Sequence, residues 1–344
     1  MPDNVRAKPE ALPLQHQLIR MATAHWVSRL LYVAAQMNLA DHLADGSKTA
    51  DEVAWSTAAD APSLYRVMRT LASLGLFTED HSHRFSLTPL GEALKTGTLG
   101  SVRTSVLTLA GDLSTKSLDH LLYSVQTGKS GFERAFGMPF FDWLANHPTD
   151  ASMFSETMVG VHGAEPAAVA AAYDFSEFET IIDVGGATGN FLASILDRHS
   201  RPRGILFDLP HVVRDASALI QASRLADRIR IEAGNFFESV PAAAGAYLLS
   251  HIIHDWSEVQ CLTILGNCRR AMKPNSPLLI IEMVLPTGNT PHPGKMLDIV
   301  MLTITGGQER TEPEYRALLD KAGFRLTRVV STESAVSIIE AFHA

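Results

Sequence analysis

From residue 174 onward, short apolar runs alternate with stretches of helical pattern. The runs are Thr180–Val184, Gly204–Asp208, Ile229–Glu232, Ala246–Leu249 and Leu278–Glu282. The helical stretches among and after them are Phe191–His199, Pro210–Ser223, Ser257–Met272 and Glu312–Ala322. This order demands a mostly parallel sheet with helices on both faces, because each parallel crossover needs a helix-length return. The end of the chain breaks the rule. Phe324–Val330 and Val336–Phe342 are separated by five residues, too few for a parallel crossover, so they are expected to form an antiparallel hairpin. Such a hairpin is unusual for a nicotinamide-binding sheet.

The first third reads differently. Ile19 to Leu43 carries apolar residues at helical spacing. Thr49 and Glu52 form a capping box. Asp60 and Pro62 open a further helix that stops at Gly75. Two short strands, Leu76–Thr78 and Arg84–Leu87, follow. Three helices and a two-stranded wing make a winged-helix order. Its candidate recognition helix, Ser63–Leu74, offers only Arg66 and Arg69 as cations, and the chain carries a formal net charge of −8. A nucleic-acid partner is therefore not expected, and the unit is read as a packing or dimerisation module.

At 344 residues, more than one core is expected. The division reads as 1–100 for the winged-helix domain, 101–165 for a helical linker and pocket segment, and 166–344 for the catalytic sheet. The linker is rich in aromatics, Phe132, Phe136, Phe140, Phe141, Trp143 and Phe154 among them, which suit either a core or the wall of an apolar pocket. Cys261 and Cys268 lie on one helical face ~10 Å apart along the axis and are expected to stay unpaired. Neither a signal peptide in Met1–Leu14 nor an apolar span of about 18 residues is recognised, so no membrane partner is expected and a cytoplasmic location is the default.

The first strand leads into Asp183, Gly185, Gly186 and Gly189. Glycines there let the backbone turn sharply beside a ligand, but their spacing does not match the dinucleotide pattern G-x-G-x-x-G. Asp208 ends the second strand, where a carboxylate can accept from both ribose hydroxyls of an adenosine. Gly234, Asn235 and Phe236 follow the third strand, placing an adenine acceptor beside an aromatic ring.

These motifs, with Pro210, His211, His254, Asp255, Trp256, Glu282, Asp298, Gly306, Gly307, Glu309 and Thr311, resemble the hydroxyindole and caffeic acid type of O-methyltransferase, bacterial small-molecule members included. The resemblance covers nearly the whole chain. It implies an α/β fold, a Rossmann-like class I methyltransferase sheet with a terminal antiparallel hairpin, plus an N-terminal helical winged-helix dimerisation domain. It implies a homodimer whose N-terminal regions help close the partner's pocket. It implies S-adenosyl-L-methionine, leaving as S-adenosyl-L-homocysteine, held by Gly185, Asp208, Gly234, Asn235, Phe236 and Ser250. It implies His254 as base, flanked by Glu282 and Glu309. Phe154, Met158, Val300, Met301 and Thr305 resemble the family's pocket lining. Ala187, Asn235 and Ser250 depart from the commonest pattern. Ala187 stands where a third glycine is usual, which suits a backbone that keeps φ negative there.

Methyl transfer from a sulfonium asks the protein for alignment and for removal of the acceptor's proton. A phenol, with a pKa of about 10, is a poor nucleophile while protonated, and histidine is the natural base. His254 follows the fourth strand at the carboxyl edge where ligands bind in open α/β sheets. His251, three residues earlier, competes for the role but reads as structural. Glu282 and Glu309 can fix the imidazole tautomer. Asp255 is expected to hold backbone or substrate, and Asp298 to orient a substrate hydroxyl or cap a helix starting there. No carboxylate cluster suggests a metal, so a metal-free mechanism is expected. The reaction read from all this is methylation of a hydroxyl on a small aromatic acceptor. N-methylation or another reaction on the same scaffold, and a ligand-sensing winged-helix regulator, are the alternatives.

Overall fold

The computed structural model describes residues 13–98, 100–242 and 244–344. They fall into two units, one ending at Asp112 and one spanning Leu113–Ala344.

The first unit has helices Leu14–Ala22, His25–Gln36, Leu39–His42, Ala50–Thr57 and Ala61–Ser73. Strands β1 (Lys48–Thr49), β2 (Phe77–Glu79) and β3 (Arg84–Leu87) form an antiparallel sheet in the order β1-β3-β2. The helical pattern from Ile19 to Leu43 is thus broken into three pieces. Thr23 turns its hydroxyl back onto the Ile19 carbonyl at 2.9 Å, and Asn38 adopts φ 52, a left-handed conformation that asparagine tolerates. The Thr49–Glu52 capping box and the Asp60 cap on Ser63 form as expected. Leu39, Val53, Met68, Leu71, Phe77 and Phe85 make the core. Arg66 is exposed, and the Arg69 guanidinium lies over the Tyr65 ring at 5.6 Å.

The second unit is built on seven strands: β4 (Thr180–Val184), β5 (Arg203–Asp208), β6 (Ile229–Ala233), β7 (Ala246–Ser250), β8 (Leu278–Glu282), β11 (Phe324–Ser331) and β12 (Ser337–His343), in the order β11-β12-β8-β7-β4-β5-β6. Strands β4 to β8 pair in parallel, and β12 runs antiparallel to both β8 and β11, which is the expected terminal hairpin. Two short strands, β9 (Val284–Leu285) and β10 (Arg310–Thr311), pair beside this sheet. Side chains alternate between faces. Ile182, Tyr247 and Leu249 join one core with Ile264, Leu265 and Tyr315. Ile181 and Leu248 join the other with Ile195 and Leu206. Strand β4 has β5 on one side and β7 on the other, so the chain reverses direction across the sheet there. A crevice opens at the carboxyl ends of β4 and β7, the place where open α/β sheets bind ligands.

Helices Gly131–Phe136, Phe140–Asn146 and Pro148–His162 carry the aromatic cluster. Phe132 is fully buried, with Phe136 at 4.5 Å and Phe140 at 5.2 Å between ring centroids. Asp298 lies inside helix Pro293–Ile304 rather than at its start, so it caps nothing there. His292 caps that helix instead, accepting from the Gly294 N–H.

Candidate active site

Strand β4 feeds the glycine loop. Gly185 adopts φ +76, and a Cβ on it would come within 2.5 Å of Ile252. Ala187 also takes a positive φ, 48°, against the expectation of a negative value. The reason is visible: its N–H must point at Asp208, whose Oδ2 accepts it at 2.9 Å. Asp208 Oδ1 accepts from the Leu209 N–H at 2.7 Å, and the Asp208 carbonyl from the Gly234 N–H at 2.9 Å. Asn235 closes a turn by accepting from the Phe237 N–H at 3.0 Å. The Asn267 amide holds the Phe236 carbonyl at 2.7 Å.

One cleft gathers Gly185, Gly186, Ala187 and Ser250 with Phe154, Met158 and His162. Asp208, Gly234, Asn235 and Phe236 stand on neighbouring strand ends and do not line it. A second cleft, about 370 Å³, is lined by Asp298, Trp256, Gly306, Gly307 and Arg310. Met301 and Thr305 line neither. Met301 is buried, and the Thr305 hydroxyl donates to its carbonyl.

Beyond β7 the chain passes through His251, at φ 53, into a single 3-10 turn, Ile253–Asp255. His254 is 6% exposed. Its Nδ1 is 2.5 Å from Glu309 Oε1, and its Nε2 is 3.9 Å from Asp255 Oδ1. Glu282 does not touch the ring. Its Oε1 accepts the His254 backbone N–H at 3.0 Å, and its Oε2 takes the Tyr315 hydroxyl. The resemblance sets both glutamates beside the base, and the structure divides their work.

Gly307 explains how Glu309 arrives. A Cβ there would lie 1.9 Å from the His254 carbonyl, so only glycine lets the two backbones meet. The Gln308 N–H then donates to that carbonyl at 2.8 Å. Buried Arg310 donates to the carbonyls of Ile253 and Gln308. Asp298 Oδ1 accepts the Glu309 N–H at 2.9 Å, so Asp298 positions the carboxylate that reaches the His254 ring.

Sequence reasoning missed Tyr315, whose spacing with Leu318 and Leu319 reads as plain core. It also missed His162 and Glu165, which a helix end separates. The His162 ring stacks on His251 at 4.0 Å, and His251 Nε2 lies 2.9 Å from Glu165 Oε2.

Comparison with known proteins decides the family. The O-methyltransferase domain matches residues 118–325, and the O-methyltransferase dimerisation domain residues 19–97. Phenazine O-methyltransferase PhzM of Lysobacter antibioticus is 43% identical over 341 residues, 99% of each chain. The chain belongs to the S-adenosylmethionine-dependent O-methyltransferases. The crystal structure of LaPhzM matches with a TM-score of 0.92 and 43% identity, over 97% of this chain and 100% of that one. NcsB1, an O-methyltransferase from neocarzinostatin biosynthesis solved with S-adenosylmethionine and 2-hydroxy-5-methyl naphthoic acid, matches with a TM-score of 0.82 and 30% identity, over 92% and 96% of the two chains.

The residues of this O-methyltransferase fit its cofactor. Both Asp183 oxygens are buried without a hydrogen-bond partner among the described residues, on the wall of the glycine-loop cleft. Burial, and then the charge of Asp208, push the Asp183 carboxyl up to about 7. A cationic ligand relieves such a site. The Asp208 oxygens each accept one N–H and keep a further lone pair for ribose hydroxyls.

The imidazole of His254 is tuned by its surroundings. Burial alone would lower its pKa. The charge of Asp255, the hydrogen bond to Glu309 and the charge of Glu282 overcome that and raise His254 to about 10. Burial pushes Asp255 up to about 6. Among the described residues, no helix is long and apolar enough to cross a membrane.

Proposed function

We propose that this O-methyltransferase methylates a hydroxyl of a small, flat aromatic acceptor of the phenolic natural-product type, with His254 as general base and no metal in the reaction. The 2.5 Å contact between His254 Nδ1 and Glu309 Oε1 carries this reading. A proton held on Nδ1 leaves the Nε2 lone pair to accept the acceptor's proton. Glu309 fixes the ring's tautomer and stabilises the imidazolium as it forms. Glu282 and Tyr315 hold the backbone that presents the ring. S-adenosylmethionine, when bound, supplies the activated methyl group. With that group bound, the residues around the acceptor oxygen would supply alignment for an in-line displacement rather than bond polarisation.

Phe154 and Met158 on the cleft wall suit a flat apolar ring, with methionine adapting its shape. The names of the relatives point the same way: a phenazine for one, a hydroxylated naphthoic acid in the crystal of another. We read the protein as a homodimer. Leu14, Leu18, Met21 and Trp26 are 75%, 67%, 74% and 62% exposed, an apolar face that water alone would leave costly.

The test is incubation with S-adenosylmethionine and a panel of hydroxyphenazines, hydroxybenzoates, hydroxynaphthoates and matching aryl amines, with mass detection. A one-methyl product from a phenol, formed equally in the presence of a strong chelator, is expected. Methylation of the amines alone, or loss of activity with chelator, overturns the reading. Light scattering on the eluting protein should give the mass of two chains.

A further inference from the structure

We propose that His162, Glu165 and His251 form a binding site for one divalent transition-metal ion of the zinc class, on the wall of the glycine-loop cleft and outside the methyl-transfer chemistry.

The three side chains come from separate places. His162 ends helix Pro148–His162, Glu165 begins helix Glu165–Ala172, and His251 follows β7. One ligand atom from each lies within 4.8 Å of the other two. One pair, His251 Nε2 and Glu165 Oε2, stands 2.9 Å apart. Four-coordinate zinc, with bonds of about 2.0–2.2 Å, sets its ligand atoms roughly 3.3 Å apart. The 2.9 Å contact lies just below that value, and no pair of the three atoms is more than 4.8 Å apart. An ion entering between Glu165 and His251 replaces their hydrogen bond, and the His162 ring tilts out of its stack to complete the set.

The donor set is chemically apt. Two imidazoles and a carboxylate suit zinc, nickel or copper rather than magnesium or calcium, which prefer oxygen alone. The neutral imidazole is the binding form. Glu165 is buried and already faces His251. An independent observation concerns the backbone. His251 sits at φ 53, a left-handed conformation unfavourable for a residue with a Cβ, and its N–H is held by the Ile281 carbonyl at 3.1 Å. The chain sustains that strain in the turn that directs this ring toward His162 and Glu165. His162 is among the residues that line the cleft.

The experiment titrates the full chain, stripped with chelator, with zinc chloride against a chromophoric chelator, and with cobalt(II) followed by visible absorption. The wild type is expected to take one zinc per chain and to give the intense cobalt bands of a low-coordinate site. His162→Gln and Glu165→Gln, checked for wild-type circular dichroism and melting, should each weaken zinc at least about tenfold. Glu165→Gln retains the shape and hydrogen-bonding capacity beside His251, so it keeps the test sound if the histidine variant fails to fold. No stoichiometric zinc in the wild type overturns the proposal. So does zinc affinity unchanged in Glu165→Gln, which would assign the ion to surface histidines.

Discussion

Glu282 holds His254 by its backbone. One carboxylate oxygen accepts the His254 N–H at 3.0 Å while the other takes the Tyr315 hydroxyl, so a helix after β10 anchors the turn that carries His254. If this anchoring matters, Tyr315→Phe should lower kcat about tenfold with little change in the acceptor KM. Its pH–rate limb should stay where the wild type's is, because the ring's partner is Glu309. A shifted limb, or an unchanged kcat, would assign Tyr315 to packing alone.

Replacing His254 itself is the harsher test of its proposed role. His254→Gln should cost about 10²–10⁴-fold in rate, the usual worth of a positioned general base. S-adenosylhomocysteine binding, measured by calorimetry, should remain within a few-fold of wild type, since His254 lies outside the lining of the glycine-loop cleft. A variant that keeps full activity would remove His254 from the chemistry.

The pH dependence has a definite sign. His254 accepts a proton only when neutral, and its pKa is raised from 6.5 to about 10. The kcat/KM profile of the free enzyme should therefore rise with pH on a limb well above 6.5. Asp255 is the largest of the charges raising it, so Asp255→Asn should move that limb to lower pH. A limb that stays put, or moves up, contradicts the assignment.

Asp183 couples the cofactor crevice to stability. Its folded pKa, about 7, exceeds the ordinary 3.8, so the fold prefers the neutral acid. The stabilisation is full below pH 3.8 and is lost as pH rises through 7. Asp183→Asn should consequently melt higher than wild type at pH 8, and by a smaller margin or none at pH 5. An equal difference at both values would show that Asp183 does not titrate in this range.

Ala187 carries a left-handed backbone at φ 48 with a Cβ attached. Ala187→Gly should release about 1–2 kcal/mol of that strain and lose part of it to the wider freedom of glycine in the unfolded chain. A net gain of roughly 0.5–1 kcal/mol in denaturant melts is expected. A loss would mean the alanine methyl packs usefully in the loop.

The sequence alone determined the alternation of strands and helices, and with it the sheet and its closing hairpin. Apolar runs of this length between helix-length returns leave few other arrangements, and strand ends fell within a residue or two of the reading. The positions of the motif residues were legible for the same reason: Gly185, Asp208 and His254 all stand at or just beyond the carboxyl ends of strands. Tertiary structure alone decided what those residues touch. Glu282 and Glu309 look equivalent in sequence, yet only Glu309 reaches the ring, because Gly307 brings its backbone against the His254 carbonyl. Tyr315 reads as one more apolar position until the fold sets its hydroxyl beside a buried carboxylate. Glu165 meets His251 across 86 residues of chain, and His162 joins them where a helix end and a strand end converge. Local periodicity reports which face of an element is buried, and it carries no record of which polar atoms from distant segments share that burial.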